Sequence, residues 1–140
     1  MKGAFEYDLW ATLQWLAWLQ ERGTPEVESA VLRHLLGAQE VWLARCSGVQ
    51  LTSFPVPELS EETARRLSKG WIDVVEAGDD RVIDYQRFNG EPHRHRLFHI
   101  ARHVLNHGTY HRGELRGICR MRGDDDFPET DLIRFDYLDQ

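Results

Sequence analysis

The chain has 140 residues, the length of one domain, which leaves no room for a separate cofactor-binding domain. Apolar residues make up 41% of it and charged residues 29%, a composition that excludes a disordered or low-complexity chain and supplies a real core. Seventeen basic against 23 acidic residues leave a net charge of −6, so a nucleic-acid partner, which needs clustered excess base, is not expected.

Phe5 to Arg22 reads as a first helix, because Phe5, Leu9, Leu13, Leu16 and Leu19 recur at the i, i+3/i+4 spacing of an apolar stripe. Gly23-Thr24-Pro25 ends it. The uncharged stretch from Leu9 to Leu19 carries Trp10, Trp15 and Trp18; it is short and lacks a basic flank, so it reads as core or dimer interface rather than a membrane-surface face. Thr24 or Pro25 opens a second helix to about Cys46, with Glu26 and Glu28 in the first turn where the helix dipole favours acids. Residues 51–59, with Pro55 and Pro57, form an irregular connection, and Ser60 caps a third helix that runs to about Ala77. A small hairpin spans about 81–96, centred on Asn89-Gly90. Leu97 to Arg122 is the longest helix, stopped by Gly123, and a short tail helix from Glu129 is expected. The fold class is therefore all-α: a helical bundle of four helices, with the hairpin inserted before the last long one, as a single domain over 1–140.

Two cysteines, Cys46 and Cys119, with no C-x-x-C pairing, point to a reducing compartment rather than a disulfide scaffold. The first residues carry acids where a signal peptide needs positive charge, and no apolar run reaches the roughly 18 residues of a membrane span. A cytoplasmic protein without a membrane partner is expected.

Seven histidines stand out, all but His34 packed between His93 and His111. Each helical residue advances about 100°, so His95, His99, His103, His107 and His111 form a drifting row rather than one face. With Phe98 at the origin, the apolar residues of that helix cluster at about 200–300°, and only His107 and His111, at about 180° and 220°, enter the buried side. Residues four apart bring their side chains about 5–6 Å from each other, close enough for two imidazoles to share one ion. His34, in the middle of the second helix, shares its side of the wheel with Val27, Ala30, Val31, Ala38 and Val41 and is expected to point into the core. A buried imidazole needs partners for both nitrogens, which a metal and a hydrogen bond supply. His34, His107 and His111 are therefore the metal candidates, an open three-imidazole site that suits zinc or nickel first and also admits iron, cobalt, copper or manganese. His93 and His95 read as a polar surface strand, and His99 and His103 as a polar edge. Neither cysteine has the surroundings of an activated thiolate.

The run His103-Val104-Leu105-Asn106-His107-Gly108-Thr109-Tyr110-His111-Arg112-Gly113-Glu114-Leu115 resembles the signature of the DinB/YfiT-like family of damage-inducible, metal-dependent proteins. His34 to Arg45 is similar to the family's second-helix segment, and Asn89-Gly90 and Thr130-Asp131-Leu132-Ile133 to its hairpin and C-terminal motif, so the likeness covers nearly the whole chain in order. The resemblance implies a four-helix bundle with a crossover connection, a homodimer, and a divalent metal held by His34, His107 and His111. Glu114 stands where the family more often has Gln. Relatives implied by the resemblance include S-transferases and isomerases that use thiols such as bacillithiol, mycothiol or glutathione.

The expected function is thus a metal-dependent, thiol-dependent S-transferase or isomerase whose partners are a small-molecule thiol and an electrophile. Coordination to a cation would deprotonate the thiol. A metal-dependent hydrolase, whose bound water would have a pKa near about 7, and a non-enzymatic metal-binding dimeric stress protein are the alternatives. No catalytic residue is assigned: Arg102, Arg112 and Arg116 could orient an anion, and Arg112 reads better as the partner of Asp131 or Glu40. An enzyme requires a pocket beside the ion, lined by Trp42, Tyr110 or residues 48–58, whereas a structural site is sealed.

Overall fold

The computed structural model describes residues 1–135. Four helices, α1 (Lys2–Glu21), α2 (Glu26–Cys46), α3 (Glu61–Glu76) and α4 (Leu97–Arg122), carry most of the chain. A two-stranded antiparallel hairpin of β1 (Val82–Gln86) and β2 (Pro92–Arg96) precedes α4, and a single 3-10 turn, Leu132–Arg134, stands where a tail helix from Glu129 was expected. No helix among the described residues is long and apolar enough to cross a membrane.

Local signals place these elements. Ser60 caps α3, its hydroxyl oxygen accepting from the Thr63 backbone N–H at 3.1 Å. Gly123, left-handed at φ 86°, ends α4. Asn89-Gly90 does lie in the hairpin turn, but not as a two-residue loop: Gly90 N–H donates to the Arg87 carbonyl and Arg87 N–H to the Glu91 carbonyl, both at 2.9 Å. Only Gly90 of the pair has positive φ. This is the three-residue loop with a glycine bulge, in which one left-handed residue suffices.

The first two helices in sequence are not packing partners. α1 lies against α3 and α4, α2 against α4 and α3, and the consecutive pair α1 and α2 occupies a diagonal of the bundle. Glu28 in the first turn of α2 meets Arg122 in the last turn of α4, while Trp42 near the end of α2 meets His103 on α4, so these two helices run antiparallel. One half of the core gathers Trp15, Leu16, Leu19, Leu36, Leu67 and Leu115. The other is built on Phe5 and Trp71, whose rings stack at 5.3 Å, with Val75, Leu97 and Val104. On α1 the buried line runs through Phe5, Asp8, Thr12, Trp15 and Leu19, while Leu9 and Leu13 of the expected stripe are half-buried.

One polar link crosses this core. Asp8 on α1 and Arg112 on α4, 4% and 3% exposed, meet at 2.6 Å, and the Gln39 amide donates to the other Asp8 oxygen at 2.7 Å. The acids expected to pair with Arg112 do not: Glu40 takes Arg66 at 3.2 Å, and Asp131 lies in the segment before the 3-10 turn. Asp8 wins because it stands on the buried face of α1 directly above Gly108. A side chain at that position would place its Cβ 2.5 Å from the Asp8 carboxylate.

Removing one member of a buried, hydrogen-bonded ion pair strands the other, at a cost of about 3–5 kcal/mol. Arg112→Met is therefore expected to lower the unfolding free energy by about that amount in a urea titration. Adding Asp8→Asn to that variant removes the stranded charge and should recover part of the loss. Equal stability of Arg112→Met and wild type would show that the pair does not hold α1 to α4.

Candidate metal centre

α4 delivers His107 and His111 one turn apart. Their rings are 4.3 Å apart between centroids and their Nε2 atoms face each other at 3.1 Å. α2 delivers His34 across the seam, its ring centroid 5.2 Å from that of His107 and 4.8 Å from that of His111. One ligand nitrogen from each of the three lies within 4.8 Å of the others. Two Zn–N bonds of about 2.0–2.1 Å at the tetrahedral angle set their nitrogens about 3.3 Å apart, so the His107 and His111 pair already has the separation of two ligands on one ion.

His34 is not in the core. It is exposed, whereas the buried line of α2 runs through Leu32, Leu35, Leu36, Gln39 and Val41. The wheel misled because Val27 and Ala30, taken as core, face outward, Val27 at 54% exposure. His34 instead stands at the rim of the α2/α4 seam, where Phe54 from the connection between α2 and α3 stacks on it at 5.3 Å and 7°. Gly37, one turn along, makes room for this: a Cβ there would lie 2.5 Å from the Phe54 ring and 2.9 Å from the Pro55 carbonyl oxygen.

Glu114 orients His111. Its carboxylate oxygen is 3.3 Å from His111 Nδ1. A carboxylate only accepts, so the proton sits on Nδ1 and the Nε2 lone pair faces the centre. Glu114 thus acts on tautomer choice. Three imidazoles with one tautomer fixed by a carboxylate fit a divalent cation.

The remaining histidines do not join this group. His103 packs edge-on against Trp42 at 5.4 Å and lies 5.7 Å from the His107 ring. His95 and His99 stack on each other at 5.2 Å, and Tyr85 meets His95 through its hydroxyl and Nδ1 at 3.0 Å. His93 departs from the surface reading: it is half-buried beneath Tyr85, because Ile83, Tyr85, His93 and His95 share the hairpin face turned toward the helices. Arg112 belongs to the Asp8 pair, and Arg116 meets Glu129 at 3.4 Å.

The triangle is not sealed. His34 is exposed, and a cavity of about 220 Å³ lined by Trp42, Tyr85 and His103 lies one histidine away, His103 being 5.7 Å from the His107 ring. Of the lining residues expected beside the ion, Trp42 walls this cavity but not the triangle itself, and Phe54 of the connection stacks on His34 rather than lining the cavity. Tyr110 touches His111 edge-on but is 69% exposed and walls nothing.

Electrostatics disfavour the charged forms of His107 and His34. Burial pushes His107 down to about 4, helped by the His111, His34 and His103 imidazoles. His34 is lowered by burial first and His111 second, against an opposing pull from Glu114. Burial also raises both thiols, Cys46 to about 11, so neither is a ready nucleophile.

A histidine with a depressed folded-state pKa binds its proton later than the unfolded chain does. Stability is then fully present above about 6.5 and falls as pH drops toward the folded value near 4. In metal-free protein the urea midpoint should decline through this window, and the decline should be shallower in His107→Asn. Identical slopes for the two proteins would contradict the assignment.

No curated protein and no solved structure matches the chain at a significant level. The family model described as DinB family matches residues 17–139, a span that contains all three histidines of the centre, together with Glu114 and the hairpin. The chain belongs to the DinB family.

Proposed function

We propose that His34, His107 and His111 hold one divalent cation, zinc or nickel foremost, and that the protein is a metal-dependent enzyme, a thiol-dependent S-transferase or isomerase. The observation that carries this is a converged triangle of imidazoles with His34 exposed, one His103 side chain away from a cavity, in a chain whose own thiols are buried. A divalent cation with an open position supplies Lewis acidity, enough to ionise a thiol near neutral pH.

The chain's own residues bind and orient. The three imidazoles supply the ligand nitrogens, Glu114 holds His111 in one tautomer, and Phe54 stacks on His34 and limits water on that flank. No protein nucleophile is required. The thiol would come from solution and lose its proton to solvent; in a transfer its sulfur would bond to an electrophilic carbon as the bond from that carbon to its leaving group breaks, and the leaving group would depart with the electron pair and take a proton from solvent.

Cobalt-loaded protein titrated with cysteine, glutathione or bacillithiol should develop a sulfur-to-metal charge-transfer band. His34→Ala, His107→Ala and His111→Ala should fail to retain cobalt, while His95→Ala retains it. If cobalt binds but no thiol alters the spectrum, hydrolysis or a non-enzymatic role replaces the thiol reading.

A homodimer is part of the proposal, on a smaller surface than the tryptophan count of α1 suggested. Trp15 and Trp18 are 1% and 5% exposed and belong to the core. Leu9, Trp10 and Leu13 remain half-buried and form a shallow groove with Ile72 of α3. Light scattering at micromolar concentration should give twice the 16.4 kDa of one chain. A monomer mass would refute the dimer without touching the metal centre.

A further inference from the structure

The cavity next to the histidine triangle has an unusual lining for an acidic protein. It is formed by Trp42 and Arg45 from α2, Tyr85, Arg87 and His95 from the hairpin, and His99 and His103 from α4 over Ile100, with no carboxylate among them. The chain as a whole carries a net charge of −6. Among the described residues neither Arg45 nor Arg87 has an acidic partner, whereas Arg65, Arg66, Arg94, Arg112, Arg116 and Arg122 all do.

Arg45 is also held in place. Its guanidinium lies over the rings of Trp42, Tyr85 and Phe88 at 4.6, 4.8 and 5.5 Å, and Nη2 donates to the Gln86 carbonyl at 3.2 Å. A half-buried guanidinium fixed by three ring faces and one carbonyl has N–H donors left, and a planar fork is pre-organised for a carboxylate. The walls are flat and aromatic, so they accept a planar apolar body. Phe88 is also 6.5 Å from Phe54, the ring that covers His34, so one aromatic wall runs from Arg45 to the metal candidates. Along α4, His103 and His99 stand about 6 and 12 Å before His107 at 1.5 Å per residue, which sets the reach of the pocket.

We propose that the pocket of Trp42, Arg45, Tyr85 and Arg87 binds the carboxylate end of a planar or aromatic organic acid, with the other end directed at His34, His107 and His111. Carboxylate binding depends on the two arginines alone. That the bound acid is the enzyme's electrophilic substrate rests on the metal-dependent reading above.

The test uses 3-phenylpropanoate as probe, its neutral amide 3-phenylpropanamide as the charge control, and inorganic phosphate as the alternative anion. Binding is followed by the indole N–H resonance of Trp42, identified by its loss in Trp42→Phe. The carboxylate should shift this resonance saturably in wild type and also in His107→Ala, which separates the pocket from the metal centre. The amide and phosphate should bind at least tenfold more weakly. Arg45→Gln should weaken carboxylate binding at least tenfold, and Arg87→Gln, an exposed change that leaves the fold alone, should weaken it several-fold. Equal binding of acid and amide, tighter binding of phosphate, or unchanged affinity in both arginine variants would overturn the proposal. A carboxylate that binds while cobalt-loaded protein ignores every thiol would retain the pocket and remove only its role as substrate site.

Discussion

The rotation of α4 about its own axis is the constraint on which the centre depends, and the buried Asp8 and Arg112 pair sets it. Arg112 follows His111 by one residue, and Gly108 follows His107 by one. Each step is about 100° of rotation, so turning Arg112 and Gly108 inward to face Asp8 leaves both histidines at the boundary of the buried side. There they meet α2. A small rotation of α4 would either turn these imidazoles into the core of the bundle or swing them into solvent away from His34. Gly108 is what lets the carboxylate come close enough to hold that angle.

The same economy governs charge. Burial disfavours the charged form of His107, and the neighbouring imidazoles add to the effect. An imidazole must be neutral to bind a cation, so this environment favours the form that could act as a ligand. Permanent positive charge is kept one cavity away, on Arg45 and Arg87, and the nearest carboxylate, Glu114, is engaged with His111. The three clustered imidazoles and the two arginines thus stand on either side of His103, which lies 5.7 Å from the His107 ring and lines the arginine pocket.

Much of this was legible in the sequence. The limits of α4 follow from Gly123 at one end and the hairpin at the other, and the i, i+4 histidines on a helix with a clear apolar face identify His107 and His111. His34 was found for a reason only partly sound. Its position on α2 is right, but the wheel treats every apolar residue as core, and Val27 and Ala30 face outward at the rim where the connecting loop folds over. Arg112 was matched to the wrong acid because tertiary pairing between α1 and α4 has no local signature; the clue was Gly108, a helix-interior glycine that costs about 1 kcal/mol relative to alanine unless something must approach it. Gly37 carries the same clue for Phe54. The turn at Asn89-Gly90 shows the reverse case, in which the motif locates the hairpin but two loop lengths share it.

The central claim is that three imidazoles from two helices hold one cation, and an anomalous difference map from a crystal of zinc-loaded protein tests it most directly. The account predicts one strong peak per chain, about 2.0–2.2 Å from a ring nitrogen of each of His34, His107 and His111. A peak ligated by His95, His99 or His103 instead, or no peak at the α2/α4 seam with zinc in excess, would contradict it.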